Sequence, residues 1–370
     1  MWDRRKWCQT LAISALGLGA RCHGYALAAT GPKNASQVDE KTQQAINRGL
    51  AFLAQSQNED GSFGDDDYAK NVGVCSLAGL SFLASGSTPS SGRWGENIEA
   101  TVAFILKQAP PSGFMTVKEY QSRGPMYGHG FATLFLSEVY GMSSDRRVRQ
   151  TLFNAIKVIV ETQNEQGGWR YQPRKDEADV SVTVCQLMAL RAARNAGVFV
   201  PDETVSRAVD YLHQSQNVDG GFMYMNEERE SAFPRSAAAI VALYNAGESG
   251  TSEIERGLDY LDNFLPRKIE GLLPSHFFYG HYYAVQAMWH AGGKRWDRWY
   301  PAIRDVLLPL QKESGAWSDL LSETYATAMA GIILQVPNNL LPILQRETSG
   351  GERTGLAKLG GLASPSHGQS

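Results

Sequence analysis

Gln57-Asn58-Glu59-Asp60-Gly61-Ser62-Phe63 is one of five related stretches in this chain. The others are QAPPSGF (108–114), QNEQGGW (163–169), QNVDGGF (216–222) and QKESGAW (311–317). Each begins with Gln and closes on Gly and an aromatic residue. The first four start 51, 55 and 53 residues apart; the last follows after 95, room for one further unit whose stretch has eroded. Self-similarity near a 50-residue period marks a repeat architecture. Glycine pairs such as Gly167-Gly168 permit backbone angles closed to other residues, so the chain can turn sharply there. The aromatic can pack back over the turn. The Gln amide can bond backbone groups left open at the end of the preceding helix.

The flanking sequence has two helical textures. Before each stretch, apolar residues recur at i, i+4 and i+7, as in Ile46/Leu50/Leu53, Leu152/Ile156/Ile159 and Val205/Val209/Leu212. One apolar stripe with a polar back predicts an outer-layer helix. The same stripe at Ile254/Leu258/Leu261 and Ile303/Leu307/Leu310 brings the count of units to six. After each stretch comes a run that is apolar almost all round: 72–84, 131–140, 180–193, 237–244, 282–289 and 326–334. A helix without a polar face is predicted to be buried on most sides. Gly86, Gly141, Gly197, Gly247 and Gly292 follow five of these runs, where a left-handed cap is expected. No period-two alternation occurs, so the core is predicted to be all-α. Six hairpins of one half-exposed and one buried helix would leave large apolar ends in an open stack. Closure into an (α/α)6 toroid removes them, with six inner helices starting at one mouth of a central cavity.

The length is ample for a large core in one domain, and the start reads as processed. The net charge of −3, with mixed signs, gives no sign of nucleic-acid binding. Residues 1–28 read as an export signal: Arg4-Arg5-Lys6, a short apolar run over 11–20, and Ala26-Leu27-Ala28 as a cleavage site. The paired arginines suggest twin-arginine export to the periplasm or another extracytoplasmic space. The run is too short to span a bilayer. Residues 29–40 read as a linker, 41–345 as the toroid and 346–370 as a disordered Gly/Ser-rich tail. Without the leader, only Cys75 and Cys185 remain. They fall on inner helices of repeats 1 and 3, which are not neighbours in a ring, so buried free thiols are expected.

The Gln-to-aromatic stretches at hairpin spacing resemble the QW-type repeats of the prenyltransferase/squalene-cyclase superfamily, over about residues 41–341. That resemblance implies an α/α toroid and a cavity for an apolar, isoprenoid or terpenoid ligand. Triterpene cyclases of this class use an Asp-x-Asp-Asp acid. The nearest match is Glu177-Ala178-Asp179-Val180, which gives Asp179 the proton-donor position and Glu177 the first. Val180 replaces the last Asp, so the acid signature is incomplete; helix-start acids favoured by the dipole are the plainer reading. The Asp-x-Cys pair that holds zinc in protein prenyltransferases is absent, and neither a metal nor another cofactor is expected. Gly64-Asp65-Asp66-Asp67 reads as a solvated acidic loop.

A further pattern comes from the residues alone. Tyr127-Gly128-His129 in repeat 2 and Tyr279-Gly280-His281 in repeat 5 both fall where an inner helix begins. Three units apart in a ring of six, they are expected to face each other across the mouth, with neutral imidazoles at helix starts. Opposite walls are too far apart to share a zinc ligated at about 2 Å. The alternative is that each imidazole packs among its neighbours and bonds a backbone group. His276, Arg235, Glu323 and Tyr325 fall at comparable points and complete an expected polar mouth. Three functions stand as alternatives: an apolar-ligand protein, which the resemblance extends to a divergent cyclase; a scaffold that kept the ring without chemistry; and a carbohydrate-active toroid, which needs a carboxylate pair such as Asp179 and Glu323. Peripheral membrane contact is compatible with the first, and the sequence carries no signal of oligomeric state.

Overall fold

In the computed structural model, residues 38–64, 68–117, 124–226 and 229–345 are described. The leader, the Asp65-Asp66-Asp67 run and the tail from 346 lie outside them. Twelve helices alternate between two layers. The outer ones are α1 (Glu40–Gln55), α3 (Gly95–Lys107), α5 (Arg146–Thr162), α7 (Asp202–Gln214), α9 (Ser252–Asp262) and α11 (Gly293–Leu310). The inner ones are α2 (Val72–Ala84), α4 (Pro125–Val139), α6 (Val180–Asn195), α8 (Phe233–Asn245), α10 (Phe277–Ala291) and α12 (Glu323–Gln335). The described residues contain no strand, only isolated bridges at Thr88/Ser91 and Gln216/Phe222. No helix among them is long and apolar enough to cross a membrane.

Each inner helix packs on the inner helices before and after it, and α12 packs on α2, so the ring closes. Every residue of α2 is buried, whereas α1 buries only its Thr42/Ala45/Ile46/Gly49/Leu50/Leu53 face. This is the apolar-run and apolar-stripe contrast of the sequence. Gly86, Gly141, Gly197, Gly247 and Gly292 all have positive φ after their inner helices.

The Gln-to-aromatic loops hold the layers together, but not in the way the sequence suggests. In four of the five loops the Gln side-chain amide does not serve the preceding helix. It donates to its own loop glycine and to the next outer helix around the ring. Gln57 Nε2 bonds Gly61 O (3.1 Å) and Asn97 O of α3 (3.0 Å). Gln163 reaches Thr204 O of α7 (2.9 Å), and Gln216 reaches Glu253 O of α9 (2.8 Å). Gln311 reaches Ala45 O of α1 (2.9 Å), joining the last repeat to the first. The preceding helix is served by the tryptophan: Trp169 Nε1 donates to Ile159 O (2.7 Å) and Trp317 Nε1 to Leu307 O (2.8 Å). The loop glycine sits against the next outer helix so closely that a Cβ on Gly167 would lie 2.1 Å from Arg207 O. With φ of 93° there, no other residue fits without strain.

Candidate ligand-binding site

The ring encloses a cavity of about 1050 Å³, lined by residues of all six repeats. Its wall is mostly aromatic and aliphatic: Tyr68, Val74, Leu77, Tyr127, Phe131, Tyr171, Tyr224, Tyr279, Tyr325 and Met329. Polar side chains at the lining include Asn71, Ser181, Arg229, Glu230, Arg235, Ser275 and His276. Side-chain caps fix some of the helix starts that shape it. Asn71 Oδ1 accepts from Gly73 and Val74, and Ser322 Oγ accepts from Tyr325 N–H at 3.0 Å. Burial raises Tyr127, Tyr279 and Tyr325 well above the usual phenol range, so these hydroxyls are neutral donors and acceptors.

The Tyr-Gly-His elements do begin inner helices, yet only part of each faces the cavity. Successive helical residues turn by about 100°. Tyr127 and Tyr279 line the cavity. Gly128 and Gly280 turn toward the neighbouring inner helix: a Cβ on Gly128 would lie 2.8 Å from Val72 Cγ2, and one on Gly280 2.7 Å from the Phe233 ring. His129 and His281 then point away, into the wall. The expectation that the two imidazoles face each other across the mouth is therefore corrected; neither lines the cavity. His129 is fully buried, with Nδ1 accepting from Met115 N–H (3.2 Å) and Nε2 against Ala155 O of α5 (3.1 Å). His281 lies among Phe233, Phe277 and Trp299, and its Nδ1 has no partner. Burial lowers the two imidazoles to about 4 and about 3.

The place that His129 holds recurs around the ring. The fourth or fifth residue of most inner helices accepts from the loop backbone at or beside the aromatic. Thr183 Oγ1 takes Trp169 N–H (3.1 Å), Ser236 Oγ takes Phe222 N–H (2.8 Å) and Thr327 Oγ1 takes Trp317 N–H (3.0 Å). Cys75 Sγ takes Phe63 N–H (3.2 Å), and burial pushes its thiol up to about 12. His129 holds this position in repeat 2. Cys75 and Cys185 are both free and buried.

The proposed acid pair is not assembled on the wall. Asp179 is the N-cap of α6, with Oδ1 accepting from Val182 N–H (2.9 Å). Its residue is fully buried, its Oδ2 has no partner, and burial lifts the carboxyl to about 6. It does not line the cavity. Glu177 points to the surface and pairs with Arg170 at 2.6 Å. Glu323 is likewise off the wall; Lys312 and Ser318 Oγ hold it and keep its carboxyl low. Arg235 lines the mouth but is anchored to the Phe222 (2.8 Å) and Glu230 carbonyls. His276 lines the mouth as the left-handed residue before α10, with φ of 57°.

Sequence reasoning missed Tyr171 and Tyr224. Each falls two residues past a loop aromatic, Trp169 or Phe222, and that shared offset was a usable signal. Their carbonyls accept from the N–H groups of Met126 (3.1 Å) and Val180 (3.0 Å), so each caps the inner helix of the repeat before. Their hydroxyls meet, and Arg170 stacks over both rings at 5.2 and 5.8 Å.

Comparison with known proteins agrees with this architecture. The squalene-hopene cyclase C-terminal domain matches residues 131–272, and the prenyltransferase alpha-alpha toroid domain matches residues 25–153. Drimenyl diphosphate synthase of Streptomyces showdoensis is 23% identical over 184 residues, 50% of this chain and 33% of that protein. The match thus spans about a third of that relative's length. Among solved structures, the type II terpene cyclase MstE from Scytonema superposes with a TM-score of 0.57 at 16% identity, covering 81% of this chain and 99% of that one. MstE is also known in complex with geranylgeranyl dihydroxybenzoate, its substrate. An α-1,6-mannanase of Salegentibacter in complex with α-1,6-mannotriose superposes with a TM-score of 0.61 at 6% identity, covering 81% and 99%. At such identities these structures share the fold alone. The chain is thus an α/α toroid whose residues 25–272 match, in two overlapping parts, the prenyltransferase toroid and squalene-hopene cyclase domain families.

Proposed function

We propose that this protein takes an apolar, isoprenoid-type ligand into its central cavity. The observation that carries the reading is the cavity itself: about 1050 Å³, with contributions from six repeats and a wall dominated by tyrosines, Phe131 and aliphatic side chains. Such a volume stands at the upper end of the roughly 300–1,000 Å³ that small-molecule pockets span. A scaffold without a ligand would fill this space with side chains, as protein interiors are close-packed. A glycosidase needs two carboxylates about the scissile bond; among the described lining residues Glu230 is the one carboxylate. Native mass spectrometry of the purified full chain tests the reading. A co-purifying lipid, or one-to-one uptake of added geranylgeraniol, supports it; no uptake contradicts it.

Proton-initiated cyclisation is the second reading, favoured by one feature. Asp179 keeps an unpartnered buried oxygen and a carboxyl lifted to about 6, which leaves part of it protonated near neutrality. Its position off the cavity wall makes binding without cyclisation the preferred reading. Incubation with a polyprenyl diphosphate decides: a cyclic product lost in Asp179→Asn would establish the acid role. We further propose export through the leader at 1–28; replacing Arg4 and Arg5 by Lys should retain the unprocessed chain in the cytoplasm.

A further inference from the structure

We infer that residues 263–276 form a flap that admits the ligand at repeat 5 and then closes over it. The inference rests on the cavity being a ligand site and adds the route and the covering element. Five outer helices, α1, α3, α5, α7 and α9, each receive a loop glycine pressed against a backbone carbonyl. α11 receives none, because repeat 5 has no Gln-to-aromatic stretch; residues 263–276 stand where its loop would be. Those stretches bury Phe63, Trp169, Phe222 and Trp317. By contrast, no residue of 263–276 is buried. Among the described residues, no backbone amide from 265 to 276 donates to another backbone carbonyl. Few buried contacts and open amides define a segment of low local stability.

The segment is tethered at both ends and joined to the cavity. Phe264 stacks on Phe233 at 5.1 Å, and Phe277 N–H bonds Pro274 O at 3.1 Å. Ser275 and His276 line the mouth. Gly271 has φ of 103° with nothing around it, and His276 is held left-handed, so two hinge-type residues bracket Leu272 and Leu273. Leu272 is 95% exposed. An exposed leucine three residues from the cavity lining gains burial when the strap folds onto an apolar ligand. In place of a loop, Arg295 of α11 reaches Glu255 (2.8 Å), Asp259 (2.5 Å) and Asp262 (3.1 Å) of α9. These contacts hold the outer layer at this seam, and the strap itself rests on the core only through the half-buried Leu265, Ile269 and Leu273 besides its tethered ends.

Hydrogen exchange of the full chain, with and without the apolar fluorophore N-phenyl-1-naphthylamine, tests the flap. Amides of 265–276 should exchange at least about 100-fold faster than those of 167–169 and 315–317 in the free protein, and slow about tenfold with saturating fluorophore. The Leu272→Ser variant, at the fully exposed leucine of the strap, should release the fluorophore about tenfold faster with its association rate and melting temperature unchanged. Protection in the free protein equal to that of the stapled loops overturns the flap. So does bound fluorophore without protection, or an unchanged release rate in the variant. Absence of any fluorophore binding removes the cavity reading and the flap with it, whereas binding without protection removes the flap alone.

Discussion

Repeats 5 and 6 solve the same joint differently. Between α11 and α12 of repeat 6, Gln311, Gly315 and Trp317 fasten the last loop to α1, to the loop itself and to α11. At the end of α9, repeat 5 has an unburied strap and an arginine clamp. Their inner helices reflect the difference. Thr327 accepts the Trp317 N–H, while His281, at the matching point of α10, keeps Nδ1 unpartnered because the loop amide it would accept from is missing. His129, in a repeat that kept its loop, has both nitrogens engaged. The comparison teaches that the Gln-to-aromatic loop is a joint between neighbouring repeats, and that losing one copy frees the cavity mouth there without opening the ring.

The largest expected effect comes from placing a methyl at a joint. Gly167→Ala puts a Cβ 2.1 Å from Arg207 O at positive φ and should cost roughly 3 kcal/mol or more. Gly271→Ala in the strap also sits at positive φ but meets nothing, so about 1 kcal/mol is expected. Chemical unfolding of the two variants checks the contrast; equal losses would break it. Next come the histidines. His129→Ala orphans the Met115 N–H and leaves a cavity, for a loss of about 2–4 kcal/mol. His281→Phe removes an unpartnered polar atom from an aromatic pocket and should be neutral or stabilising.

The same pair predicts an acid limb. Both imidazoles are held below their ordinary value near 6.5, so between about 6.5 and 4 the unfolded chain binds more protons than the folded one. Their contribution to stability is full above pH 6.5 and falls as pH drops through that window. The His281→Phe variant should show a shallower fall by thermal melting. The smallest effect belongs to Arg295→Gln. Its ion pairs are partly exposed, so the loss should be about 1 kcal/mol at low salt and largely vanish near 1 M.

The toroid, its six repeats and its two helix layers were legible because burial writes a plain pattern, an apolar stripe outside and an apolar run inside. Val72–Ala84 is even read to its ends. The site was legible only in part. Tyr127, Tyr279, His276, Arg235 and Tyr325 line the cavity as the ruler of loops suggested. His129, His281, Asp179, Glu177 and Glu323 do not. Spacing along the chain locates a helix start to within a residue or two, but facing rotates by about 100° per residue, so the same precision leaves direction open. The roles of Gln and Trp were inverted for a similar reason: their partners lie in the adjoining repeat or across the loop, where sequence proximity gives no guide.

The most direct test of the ligand cavity is calorimetric titration of geranylgeraniol into the wild type and into Leu77→Trp, which adds an indole to the cavity wall. The account predicts one-to-one binding by the wild type, loss of binding of at least about tenfold in the variant, and an unchanged fold by circular dichroism. Equal binding by both proteins, or none by the wild type, would contradict it.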